Sequence, residues 1–136
     1  METPLTGGCG CGAVRFVLDA PPVGAVYCHC TRCQRRTGTA ASASARVAPG
    51  SVRVVAGEEH VRAWAPEGGH EKLFCALCGS AVFTRRPGGP IASVRLGSFD
   101  ADPGVRPAAR QFTAYAAPWE PIPDDGLPRF AERAPG

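Results

Sequence analysis

Lysine is nearly absent from this chain: Lys72 is the only one among 15 basic residues, so the positive charge is almost all arginine. The arginines form no run or stripe, and a net charge of +3 is a mild excess. That removes the electrostatic case for nucleic acid as a partner. No apolar stretch approaches the roughly 20 residues needed to span a bilayer, so no membrane segment is expected. Residues Met1 to Gly12 contain Glu2, Pro4 and several glycines, and no apolar h-region follows them. No targeting peptide is therefore expected, and the expected location is cytoplasmic, where thiols stay reduced. Long helices are excluded by 17 glycines and 14 prolines spread along the chain.

What remains is a set of short, strand-like segments. Residues 13–18, 23–28, 52–56, 61–65, 81–84, 91–96 and 112–115 alternate or are rich in β-formers. Val14, Phe16 and Leu18 share one face while Arg15 points away, the period of a half-buried strand. Turn signals separate these segments, among them Pro21-Pro22, Pro49-Gly50 and Pro87-Gly88-Gly89-Pro90. The pattern predicts a mainly β domain of small antiparallel sheets. The 136 residues suffice for one domain, taken as residues 5–130, with 131–136 as a disordered tail that has little to pack. One short helix is predicted over 32–37. Thr31 and Gln34 have capping-box spacing, and Gly38 suits the left-handed position after the last turn. Residues 39–45, nearly all alanine and serine, fit a strand or a loop.

Seven cysteines fall into two groups, an odd total that suits disulfides poorly. Cys9, Cys11, Cys75 and Cys78 make a Cys-x-Cys and a distant Cys-x-x-Cys-Gly. Four thiolates close a tetrahedral zinc site, and that site would tie remote parts of the chain together. The alternatives are unrelated buried cysteines or a redox pair. Cys28, Cys30 and Cys33 make a set of three. Three thiolates leave one zinc corner open to water or to a substrate thiol. His29 points away from its neighbours on a strand, while His60 or His70 could close the site and make it a second structural zinc. Cys33 in a first helical turn is placed where backbone N–H groups favour a thiolate.

Zinc with three thiolates is formally −1 and a weak Lewis acid, better suited to holding a thiol than to making hydroxide. Arg32, Arg35 and Arg36 follow at once. Arg35 and Arg36 are candidates for holding a substrate carboxylate, against the alternative of a solvated helix face.

Residues 8–16, 28–38 and 74–80, with the stretch from Ala117-Pro118-Trp119 to Phe130, resemble the glutathione-dependent formaldehyde-activating enzyme family, also called the CENP-V/GFA domain. The resemblance covers about 8–130. It implies an Mss4-like β-tent fold. It also implies two zinc ions, a structural one on Cys9, Cys11, Cys75 and Cys78 and a catalytic one on Cys28, Cys30 and Cys33. The implied reaction is of the carbon–sulfur lyase type: reversible addition of a thiol such as glutathione to an aldehyde such as formaldehyde. The implied partners are these small molecules, with a homodimer as a further expectation. Outside the cysteines the chain departs from the family at Arg110, often histidine there, and at Ala116, often lysine. Two rival functions stand beside the enzyme: a non-catalytic zinc-binding interaction module, and a thiol-based redox or zinc sensor. His29 is the one candidate general acid.

Overall fold

In a computed structural model that describes residues 4–135, ten strands form two sheets around a shared apolar core. The strands are β1 (Leu5–Gly8), β2 (Arg15–Leu18), β3 (Gly24–Cys28), β4 (Ser42–Arg46), β5 (Val52–Ala56), β6 (Val61–Trp64), β7 (Glu71–Cys75), β8 (Ala81–Arg85), β9 (Ile91–Arg95) and β10 (Arg110–Gln111). The smaller sheet runs β1-β2-β5 and the larger β10-β3-β4-β9-β8-β7-β6. Every pairing is antiparallel except β10 with β3. The mainly β architecture with one short α-helix, α1 (Thr31–Thr37), is the class the sequence implies.

The register explains the core. Across the larger sheet Ala25 faces Ala45, Ala45 faces Val94, Val94 faces Phe83 and Phe83 faces Leu73. All five are buried, because directly opposed residues share a face. The smaller sheet supplies Leu5, Phe16 and Leu18 from the other side. Phe16 is 1 % exposed and meets Phe83 and Phe99 edge-on, at ring centroid distances of 5.3 and 5.7 Å. Fully burying a side chain of this size is worth about 1.5–3 kcal/mol. Gly7 lies opposite Phe16 on β1, where an added Cβ would come within 2.5 Å of the Phe16 ring. A larger residue there would push the smaller sheet off its core.

The sequence expectations fail at three places. The expected strand over 112–115 is instead a 3-10 turn over Thr113–Tyr115, because Phe112 sits at φ 56 and breaks the extended path just after β10. Helix α1 is capped by Cys30, not Thr31: the Cys30 Sγ accepts from the Cys33 N–H at 3.3 Å. Gln34, the other half of the expected capping box, instead donates to the carbonyls of His29 (2.7 Å) and Tyr115 (2.8 Å). The end is as expected, with Gly38 at φ 70 donating to the Gln34 carbonyl. Past Phe130 the chain is held at several points. Glu132 O accepts from Phe112 N, and Ala134 N donates to Gln111 Oε1 at 3.0 Å. No helix among the described residues is long and apolar enough to cross a membrane.

Candidate metal centre

The four-cysteine group forms where two hairpin turns meet. Cys9 and Cys11 lie in the β1–β2 turn, and Cys75 and Cys78 bracket the β7–β8 turn. Their sulfurs all lie within 4.8 Å of one another, with Cys9–Cys11 at 3.7 Å and Cys11–Cys75 at 3.9 Å. A zinc ion with sulfurs at about 2.3 Å sets tetrahedral edges of about 3.8 Å, so the donor set fits zinc. The surroundings also suit thiolates. The Val14 N–H donates to Cys9 Sγ at 3.3 Å, and the Ser80 hydroxyl lies 3.2 Å from Cys78 Sγ. The hydroxyl and backbone N–H of Ser80 hold the Cys78 thiol down to about 5. Ser80 also accepts from Gly10 N at 2.9 Å, linking the two turns directly.

The three-cysteine group lies at the end of β3 and the start of α1. Cys28 and Cys33 are buried, Cys30 half-buried, and the three sulfurs also lie within 4.8 Å of one another. Crowding by Cys30 and Cys33, with burial, pushes the Cys28 thiol far up. Cys33 is pushed far down by Cys28 and Cys30, with help from the Ser42 hydroxyl and Arg95. Without a cation the cluster therefore keeps protons on some of its sulfurs. A divalent ion would displace them, so the donor set fits a thiolate-loving metal whose affinity rises with pH.

Neither His60 nor His70 joins this group; the metal-capable groups among the described residues are all cysteine. His29, one residue past the end of β3, turns away from the sulfurs toward Arg110. It is 4 % exposed, its Nε2 faces Arg110 Nη1 at 3.2 Å, and burial together with the Arg110 charge lowers its pKa. A histidine so placed is neutral, accepting from Arg110 while the Ala40 carbonyl takes its other N–H. His29, Arg110 and Tyr27 line a cavity of about 460 Å³ on the side away from the sulfurs.

The sulfurs share the opposite face of the larger sheet with α1. Opposed pairs run Cys28–Ser42 and Ser44–Arg95, then Ser93–Thr84, Thr84–Lys72 and Lys72–Trp64. Arg36 leans over this face from α1, with its guanidinium carbon 5.8 Å from the Trp64 ring centroid. Arg35 is exposed. Lys72, Arg95, Ser42 and Ser44 are residues that sequence reasoning did not single out near the sulfurs. The available signal was the alternation Lys72-Leu73-Phe74-Cys75, hidden because Glu71 and Lys72 make β7 look like a loop.

Two cysteine clusters set into a two-sheet β fold define a small β protein with two groups that could hold a metal ion. The family model described as glutathione-dependent formaldehyde-activating enzyme matches residues 4–115, and the chain belongs to that family. A curated protein of Halomonas elongata, provisionally named a glutathione-dependent formaldehyde-activating enzyme, is 33 % identical over 92 residues. The match covers 63 % of this chain and 59 % of that protein, so the chain spans about three fifths of the relative's length. A crystal structure of a Rhodobacter sphaeroides protein aligns with 92 % of this chain and 98 % of its own, at 25 % identity and a TM-score of 0.55.

Proposed function

We propose that the chain is a zinc-dependent enzyme of the carbon–sulfur lyase type, acting on adducts of a thiol such as glutathione with an aldehyde such as formaldehyde. The observation that carries this reading is the three-cysteine group: three sulfurs within 4.8 Å and no fourth protein ligand among the described residues. Zinc bound there supplies the positive charge that keeps a substrate thiol deprotonated at neutral pH. Everything else falls to the chain. Cys28, Cys30 and Cys33 hold the ion, and α1 keeps Cys30 and Cys33 in register through the cap. In the forward direction the thiol sulfur bonds to the aldehyde carbon, and the carbonyl oxygen takes up a proton. The reverse breaks that C–S bond and restores the carbonyl and the thiol. Arg35 and Arg36 are assigned to a carboxylate of the substrate, with Arg36 the better placed because it leans over the sulfur-bearing face. The four-cysteine group is assigned a structural zinc. All seven cysteines are free thiols, which suits a reducing compartment such as the cytoplasm.

A second reading is a thiol-based sensor, favoured by the lowered pKa of Cys33, since a thiolate is what oxidants attack. Zinc per chain, measured on anaerobically purified protein and on Cys30→Ser, separates the two. Serine is a strong N-cap, so this variant keeps α1 capped while weakening the metal set. The enzyme reading expects two zinc ions falling to one with the fold kept. One zinc in the parent, unaffected by Cys30→Ser, would sink it in favour of the sensor or an interaction module.

A further inference from the structure

The sulfur-bearing face carries three cations with no carboxylate paired to them among the described residues, the opposite charge near them being that of Cys33. Arg36, Lys72 and Arg95 take part in none of the ion pairs among the described residues. Arg95 Nη1 donates to the Ser44 hydroxyl at 3.1 Å. Arg36 lies over the Trp64 ring, and its Nε is buried without a hydrogen-bond partner among the described residues. An unpaired buried donor on a cation is costly, and in a native fold it calls for an explanation such as an ion or ligand. Lys72 is half-buried between them, with Arg32, Arg36 and Arg95 all close enough to act on it electrostatically. The acid adjoining Lys72 in sequence, Glu71, is turned to the opposite face and paired with Arg85 at 3.2 Å. Hydroxyls of Ser42, Ser44, Ser93 and Thr84 complete the surface between the cations.

A three-thiolate zinc at −1 offsets only one of the three positive charges. Two remain, the charge carried by a thiolate and one acid group together. Arg36 lies one helical turn beyond Cys33 on α1, and Arg95 faces Ser44, two residues along β4 from the Ser42 that faces Cys28, so the acid group they hold lies on the same face as the sulfurs. Deepening the proposed function and resting on its open three-cysteine site, we propose that Arg36, Lys72 and Arg95 form an acid-binding subsite. It favours thiols that carry a carboxylate over neutral or cationic ones.

The test is calorimetric titration of the zinc-loaded protein with three short thiols of different charge: 3-mercaptopropionate, 2-mercaptoethanol and cysteamine. The acid is expected to bind at least about tenfold more tightly than the neutral thiol, the scale of one charge-assisted hydrogen bond, and the amine most weakly. The acid-to-neutral ratio should shrink as salt rises, and it should fall several-fold in Lys72→Gln and in Arg95→Gln. Equal binding of all three thiols at low salt would overturn the subsite while leaving the open metal site standing. Absence of binding by any thiol would overturn both. Should a variant fail to fold, the salt series on the parent protein decides alone.

Discussion

At the scale of single residues, the decisive feature is how few side chains serve more than one neighbour. Arg110 is one. Its Nε and Nη2 donate to Asp125 Oδ2 at 3.1 and 2.8 Å, its Nη1 faces His29, and its guanidinium carbon lies 4.3 Å from the Tyr27 ring centroid. It thereby fastens the segment after residue 117 to β3 and sets the ring that sits between two of the clustered cysteines. Removing it leaves His29 Nε2 buried without its partner. Arg110→Ala is expected to lower unfolding free energy by about 2–4 kcal/mol, read from urea midpoints. A change below about 0.5 kcal/mol would mean the clamp does nothing for the fold. From sequence alone Arg110 was visible only as a departure from a family pattern, because its three partners lie 15 to 83 positions away.

At the scale of elements, the strands that sequence reasoning found are those that alternate or are rich in β-formers: β2, β3, β5, β6, β8 and β9. Of the four it missed, β10 is only two residues long, and the other three have a reason each. β1 reads Leu-Thr-Gly-Gly, with little intrinsic strand preference, and is held by pairing with β2. β7 begins with two charged residues whose roles appear only when Arg85 and the sulfur-bearing face are in place. β4, left open between strand and loop, is a strand whose serines and alanines sort by face, with Ala45 in the core and Ser44 against Arg95. β2 couples the sheets directly, since Phe16 meets the ring of Phe83 on the larger sheet as well as that of Phe99. Phe16→Ala is expected to cost about 3–5 kcal/mol, checked by denaturant unfolding. A loss under 1 kcal/mol would show that the sheets hold together without it.

At the scale of the molecule, the four-cysteine group ties a turn of the smaller sheet to a turn of the larger one, across a sequence separation of 64 between Cys11 and Cys75. A structural zinc is worth on the order of 10–16 kcal/mol of apparent binding free energy, comparable with the whole stability of a domain. Stripping metal with a strong chelator under reducing conditions is therefore expected to abolish the cooperative thermal transition seen by far-ultraviolet circular dichroism. Re-adding zinc should restore it. An unchanged transition in metal-free protein would show that the core alone suffices.

The cysteine spacing, read as sequence, determined the partition into four and three, because ligands on one tight turn must be near neighbours in the chain. Alternation determined most strands, because a period of two needs only local residues. The cationic surface beside Cys33 was decided by tertiary structure alone. Arg36, Lys72 and Arg95 come from α1, β7 and β9. They converge only because strand register puts Lys72 opposite Thr84, Thr84 opposite Ser93 and Arg95 opposite Ser44. No local rule links positions 36, 72 and 95. What joins them is the burial of Leu73, Phe83, Val94 and Ala45 on the other side of the sheet, which leaves their polar neighbours only one face to occupy.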